Sequence, residues 1–300
     1  MTATARSRIL ITGADGQLGW ELQRTFAPLG EIVALDRSRL DLTSPDAIRE
    51  RCREIKPALI LNAAAYTAVD KAESEAELAM QINGRAPGIL AEEANRLGAA
   101  LIHYSTDYVF NGATDQPYRE TDQTAPQSVY GRTKLAGEQA VTAVAERHLI
   151  FRTSWLYGNR RQNFFLTMLR LAKERDELRV VADQIGSPTW VHSVSAATGL
   201  CVQTGTRPEL KIPSGIYHLS ANGSTSWHGF ASAILAALSS SEKRATHVVP
   251  LTTAEYPTPA KRPPFSVLSV TKLEQALGVR IDGWERQLAA CFAERNSAKL

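Results

Sequence analysis

A strand-like triplet, Ile9-Leu10-Ile11, runs straight into Gly13-Ala14-Asp15-Gly16-Gln17-Leu18-Gly19, and behind it Leu18, Leu22 and Phe26 recur at helical spacing. Glycines at every third position between a buried strand and a helix leave few folds open. The turn must be tight, its amides must approach an anion closely, and the helix must pack against the strand; small residues permit all three. The helix N-terminus then offers unpaired N–H groups and partial positive charge to a pyrophosphate. Gly13, Gly16, Gln17, Leu18 and Gly19 are therefore the candidate dinucleotide cradle. The second strand-like run, Ile32-Val33-Ala34-Leu35, ends at Asp36, about twenty residues past Gly16, where an acidic side chain meets an adenosine ribose. Arg37 follows at once and suits a 2′-phosphate instead, so NADH and NADPH both stay open. Asp41 and Leu42 close the same region, Asp41 reading equally well as turn chemistry.

The alternation continues down the chain. Ser44-Pro45 reads as a helix N-cap and first turn, with Ile48, Cys52 and Ile55 on its buried face and Pro57 beyond it. Ala58–Leu61 predicts a third strand, 76–97 one long helix ended by Gly98, Ala100–Tyr104 a fourth strand, 129–145 a helix and Leu149–Phe151 a fifth strand. Strands alternating with helices imply right-handed crossovers and a parallel sheet covered on both faces. The expected fold is α/β, a Rossmann-like doubly wound parallel sheet over residues 1–160. Residues 161–300 mainly build a smaller C-terminal substrate-binding lobe, with a late strand near 215–220 rejoining the sheet. In that half the pattern predicts a helix over 163–173, a strand at Arg179–Val181, an ordered irregular segment over 250–264 and a helix over 284–293.

Composition narrows the function classes. The 300 residues carry a net charge of +3 and are 44% hydrophobic, the profile of an ordinary globular protein rather than a disordered or fibrous chain. So small a positive balance points to neither nucleic acid nor a membrane surface. No apolar run reaches the roughly 18 residues of a membrane span, and the stretch behind the N-terminus is too short for a signal-peptide core. Cys52, Cys201 and Cys291 match no metal-ligand spacing and read as idle buried thiols of a reducing compartment, so the expected location is the cytoplasm.

The candidate chemistry lies at Tyr130-Gly131-Arg132-Thr133-Lys134. Four residues along a helix turn about 400° and rise about 6 Å, so Tyr130 and Lys134 share a face. A phenol is a weak acid near neutrality, and a neighbouring ammonium favours its ionised form. Ser105-Thr106-Asp107 ends the fourth strand, where an open α/β sheet binds its ligands. These residues suggest a carbonyl reduction in which a bound NAD(P)H gives hydride, Tyr130 gives the proton, Lys134 stabilises the phenolate and Thr106 polarises the carbonyl.

Longer stretches add specificity. Gly13–Gln23, Asn62–Glu73, His103–Phe110, Val129–Glu138, Phe151–Trp155, Asp183–Thr189 and Tyr256–Pro263 together resemble the extended short-chain dehydrogenase/reductases of the nucleotide-sugar branch, and within them the dTDP-4-dehydrorhamnose reductase family. The resemblance implies that Gly16, Gln17 and Leu18 meet the cofactor pyrophosphate and that Asp36, Asp41 and Leu42 surround its adenosine. It further implies that Ala65, Tyr66 and Thr67 line its path, with Tyr130 as proton donor, Lys134 its partner, and Thr106, Asp107 and Trp155 touching the sugar. The implied reaction takes dTDP-4-dehydro-β-L-rhamnose to dTDP-β-L-rhamnose with NADPH or NADH, for surface polysaccharide synthesis, by a monomer or homodimer. Asn163, Gln184 and Arg262 are added as candidates for the nucleotide end of the substrate, Arg262 as a bidentate partner of a diphosphate. Trp227 and Trp284 read as packing rather than stacking platforms. Some relatives bind Mg²⁺ between subunits through a glutamate at the position of His192 and an acid matching Glu21. With histidine there, no metal is assigned, and Glu21 reads as a solvated helix residue. Two alternatives remain: a redox-neutral nucleotide-sugar epimerase or dehydratase, and a non-catalytic regulatory subunit on the same scaffold. The first lacks the glutamate after Asp107 that dehydratases of this superfamily tend to carry; the second has no use for the set of Thr106, Tyr130 and Lys134.

Overall fold

The structure is a computed structural model that describes residues 6–203 and 208–297. Its frame is a sheet of β1 (Arg8–Thr12), β2 (Glu31–Leu35), β3 (Leu59–Asn62), β4 (Ala100–Thr106), β5 (His148–Thr153) and β6 (Gly215–His218). They lie side by side in the order β2-β1-β3-β4-β5-β6, every pairing parallel. Helices α1 (Gln17–Phe26), α2 (Pro45–Ile55), α3 (Ala76–Met80), α4 (Ala86–Leu97), α5 (Val129–Val144), α6 (Phe164–Glu174), α7 (Val191–Leu200), α8 (Trp227–Ala236) and α9 (Trp284–Ser297) complete the main elements.

Successive side chains of a strand point to opposite faces, and the sheet uses both. Ile9, Ile11, Leu61 and Phe151 meet Leu22 and Phe26 of α1 and Val194 of α7 on one face. Leu10, Ile60, Leu101 and Ile150 meet Ile48 and Cys52 of α2, Leu90 of α4 and Val141 of α5 on the other. The chain leaves β1 for β2 on one side and returns to β3 on the other. That reversal opens a crevice at the carboxyl ends of the strands, where such sheets bind ligands. A separate core of Tyr157, Phe165, Leu169, Phe230, Trp284 and Cys291 lies in the later part of the chain.

The late strand pairs with β5 from Gly215 to His218, and α7 packs on α1, so the C-terminal half gives two elements back to the sheet. Three local expectations change. The helix expected over 76–97 is broken by a π turn, Gln81–Arg85. Within the segment expected to be irregular, Pro250 belongs to a strand, His247–Leu251, paired in parallel with Glu177–Val181; a two-stranded edge pairing tolerates proline. Helices α7 and α8 are additions to the sequence reading. Ser44 and Ser128 cap α2 and α5 as serine hydroxyls do, accepting from the backbone N–H of Ala47 and Gly131. Cys52, Cys201 and Cys291 are free and buried, and burial pushes each thiol up to about 12. No helix of the described residues is long and apolar enough to cross a membrane.

One buried ion pair joins α5 to the sheet. Arg152 and Glu138 meet at 2.7 Å with side chains 3% and 2% exposed. Ser105 donates to the same carboxylate at 2.5 Å. Breaking such a pair strands a charge in the interior, at a cost of about 3–5 kcal/mol. Arg152→Ala is therefore expected to lower the unfolding free energy by about that much, read as a fall in the urea midpoint. Replacing both partners together with methionine and leucine is expected to recover most of the loss.

Candidate active site

The crevice is a cavity of about 830 Å³, at the upper end of small-ligand sites. Of the proposed cofactor residues, Gly13, Gly16, Gln17, Leu18, Asp36, Arg37, Asp41, Leu42, Ala65, Tyr66, Thr67, Tyr130 and Lys134 line it. Gly19 stands just behind the wall. A Cβ there would lie 2.0 Å from the carbonyl oxygen of Gly13, so the first turn of α1 reaches the strand only because that side chain is missing. Gly13 itself has φ +68°, and a Cβ on it would come within 2.8 Å of Ala64 Cα. These close approaches form a backbone cradle that fits a dinucleotide.

Asp36 ends β2, and its Oδ1 accepts from Ser38 N, Ser38 Oγ and Arg39 N at 2.9, 2.6 and 3.1 Å. The Ser38 hydroxyl is the largest cause of the lowered pKa of this carboxyl. Asp41 likewise holds its own turn through Thr43 N and Oγ1. Both aspartates thus do turn work while they line the cavity.

The π turn has a visible purpose. It turns Asn83 inward, where its Oδ1 accepts from Tyr66 N at 2.8 Å and its Nδ2 donates to Tyr66 O at 3.0 Å and to Thr133 Oγ1 at 3.2 Å. Asn83 thereby ties the cavity-lining loop Ala65–Thr67 to the helix that carries Tyr130. Its only signal in the sequence is an Asn-Gly pair inside a helical run. Asn62 and His103, both buried, are likewise absent from the candidate set.

Thr106, Asp107, Tyr130, Lys134 and Trp155 line the same cavity. Burial pushes the Tyr130 phenol up to about 12, the neighbouring Thr106 side chain acting against the rise and Asp107 adding to it. This corrects the expectation that Lys134 lowers it. The lysine donates instead to the carbonyl of Tyr104 at 2.6 Å, and burial brings its own pKa down to about 8. Burial likewise raises Asp107 to about 6, against the hydroxyls of Ser266, Thr106 and Ser154. Trp155 sits at φ +47°, a genuine outlier for a bulky residue and a mark of a constrained site. Its indole stacks on Trp227 at 3.5 Å and 3°, so Trp227 is a stacking partner of a cavity residue, whereas Trp284 packs in the separate core with Phe230.

Asn163 lines the cavity but caps α6 and donates to Gln17 Oε1 at 2.8 Å. Two candidates are not brought to the wall. Gln184 is buried and donates to Thr253 Oγ1. Arg262 is bidentate, but with Asp70, at 3.1 and 2.8 Å. A carboxylate therefore holds the fork assigned to a diphosphate.

Glu21 is not a solvated residue. It is 5% exposed, and its Oε2 meets His192 Nδ1 at 3.1 Å. Glu294 completes a group whose ligand atoms all lie within 4.8 Å. One imidazole nitrogen with two carboxylates does not suit Mg²⁺, which demands an oxygen octahedron, and the nitrogen is already engaged.

Comparison with known proteins places the chain in a family. The RmlD substrate binding domain family matches residues 7–297. A dTDP-4-dehydrorhamnose reductase of Burkholderia thailandensis is 45% identical over 293 residues, spanning 96% of this chain and 98% of the relative. One from Escherichia coli K12 is 45% identical over 290 residues, spanning 92% and 94%. Among solved structures, a dTDP-4-dehydrorhamnose reductase from Bacillus anthracis in complex with NADP is similar with a TM-score of 0.86 at 38% identity, covering 96% of this chain and 99% of that one.

The role of Asn83 is open to test. Asn83→Ala leaves the Tyr66 N–H without its acceptor, a loss of about 1–3 kcal/mol that falls on the cavity wall. Dinucleotide Kd, measured by calorimetry, is expected to rise by about tenfold or more.

Proposed function

The chain belongs to the RmlD substrate binding domain family, among the dTDP-4-dehydrorhamnose reductases, and on that premise we propose that it reduces the C4 ketone of dTDP-4-dehydro-β-L-rhamnose to dTDP-β-L-rhamnose. The observation that carries this reading is the meeting of Thr106, Tyr130 and Lys134 in the cavity that the glycine turn opens. NADPH or NADH, when bound, supplies the hydride. Gly13, Gly16, Gln17 and Leu18 hold the pyrophosphate, with Asp36, Arg37, Asp41 and Leu42 at the adenosine and Ala65, Tyr66 and Thr67 along the path between. Trp155 and Asp107 hold the sugar.

The chain's own residues handle the proton. Thr106 turns its hydroxyl, here donated to Asp107 Oδ1 at 3.0 Å, onto the ketone oxygen. Tyr130, kept protonated by burial, gives its proton to that oxygen as negative charge develops on it. Lys134 then stabilises the phenolate left behind. The product suits surface polysaccharide synthesis.

NADPH is the expected preference. The Asp36 carboxylate is occupied by Ser38 and Arg39, whereas Arg37 lines the cavity beside it. An arginine suits a 2′-phosphate, and a hydrogen bond to a charged group is worth about 1.5–3 kcal/mol. Arg37→Ala is therefore expected to lower kcat/KM for NADPH by about tenfold or more while that for NADH holds. Tyr130→Phe tests the assignment itself. Following NADPH oxidation with dTDP-4-dehydrorhamnose, kcat is expected to fall by about 10²–10⁴ with dinucleotide Kd retained, and unchanged turnover would refute the role.

A further inference from the structure

Thr12, Asn62 and His103 occupy neighbouring positions on three adjacent strands. Thr12 is in register with Asn62, and Asn62 with His103. All three side chains point to the face that α5 covers, and all are buried, with exposures of 1%, 1% and 0%. They are joined in one row of hydrogen bonds, and its direction follows from the Asn62 amide, whose oxygen faces Thr12 and whose nitrogen faces His103. The backbone N–H of Ala64 can only donate, and Thr12 Oγ1 accepts it at 3.2 Å. The Thr12 hydroxyl passes its own proton to Asn62 Oδ1 at 2.7 Å. The amide nitrogen of Asn62 lies 3.0 Å from His103 Nδ1 and donates to it. A neutral imidazole that accepts at Nδ1 carries its proton on Nε2. That nitrogen faces Lys134 Nζ at 3.5 Å.

We propose that His103 is a positioning residue for Lys134: the row across β1, β3 and β4 fixes it as the Nε2–H tautomer, which presents an N–H, not a lone pair, to the lysine. This extends the reading of Lys134 as partner of Tyr130 and rests on it. An ammonium has three protons to place. One goes to the Tyr104 carbonyl at 2.6 Å. None can go to His103, so the other two are left for the cavity that Lys134 lines.

The remaining charged and titratable groups around the lysine are accounted for. Glu138 lies one turn further along α5, but Arg152 of β5 and Ser105 of β4 hold its carboxylate. Tyr130 lies one turn back, and the groups that act on its phenol are Thr106 and Asp107. Burial and the adjacent lysine keep the His103 pKa well below its ordinary value, so the ring stays neutral and its tautomer is what acts.

Two measurements test this. The ¹⁵N chemical shifts of His103 in the folded protein read the tautomer without any turnover. Protonated Nε2 with bare Nδ1 is expected; a proton on Nδ1 would overturn the proposal whatever the substrate proves to be. The second measurement is the pH profile of kcat/KM. In His103→Gln the freed amide can turn its oxygen to the ammonium. In Asn62→Asp the carboxylate draws the proton onto Nδ1 and bares Nε2. Both changes give Lys134 an acceptor and hold its proton to higher pH. Both are expected to move the alkaline limb upward by about one pH unit. Lower activity with an unmoved limb in both variants would reduce His103 to packing and overturn the proposal. Absence of any turnover by the unaltered protein, with the expected tautomer present, would count against the substrate assignment alone.

Discussion

The buried contact between Glu138 and Arg152 fixes the relation on which the site depends. Tyr130 and Lys134 ride on α5, whereas Thr106 ends β4, and nothing in either element alone sets their spacing. Ser105 and Arg152 are register partners on β4 and β5, and both donate to Glu138 Oε1. Arg152 adds a second bond to Oε2 at 2.7 Å and lays its guanidinium 5.1 Å from the centre of the Phe110 ring. A slip of one residue along α5 would shift Tyr130 by about 1.5 Å and rotate it by about 100°, away from Thr106. Two desolvated charges are a poor source of net stability. Their value here is selectivity: only one placement of the helix satisfies both partners and the serine together.

The parts of the site that the sequence disclosed are those set by spacing within one element or one turn. The period of Gly13, Gly16 and Gly19 and the helical interval from Tyr130 to Lys134 are local facts, and the folded chain keeps them in one crevice. What stayed hidden depends on register and on distant partners. Thr12, Asn62 and His103 are far apart in the chain and become neighbours only when three strands align. Asn83 acts because a π turn rotates it inward, and helical periodicity cannot announce a break in its own period. Glu21 looked solvated because its partner His192 lies in α7, a helix that the pattern missed. That helix, Val-His-Ser-Val-Ser-Ala-Ala-Thr-Gly-Leu, carries Val, Ser, Thr and Gly that favour helix weakly, and Val191 and Val194 tie it to two cores. Arg262 was read by its side-chain type, but which anion it meets was decided by Asp70, from the other half of the chain.

Burial sets the electrostatics of the reacting corner more than pairing does. It raises the Tyr130 phenol to about 12, lowers Lys134 to about 8 and raises Asp107 to about 6, in each case against the charged form. In the proposed reduction, with Tyr130 giving the proton and Lys134 as its partner, this has a definite sense. The group that must give a proton to a developing alkoxide has to hold that proton until the charge appears, and a phenol pushed upward does so. A lysine aimed directly at the phenol would pull the proton off too early. With its ammonium directed to the Tyr104 carbonyl, Lys134 is not among the groups that shift the neutral phenol. Its attraction grows only once the phenolate exists, when a negative charge stands one helical turn away in a desolvated cavity. Stabilisation that appears with the charge lowers the barrier without binding the ground state more tightly, and this is the form in which binding energy becomes rate.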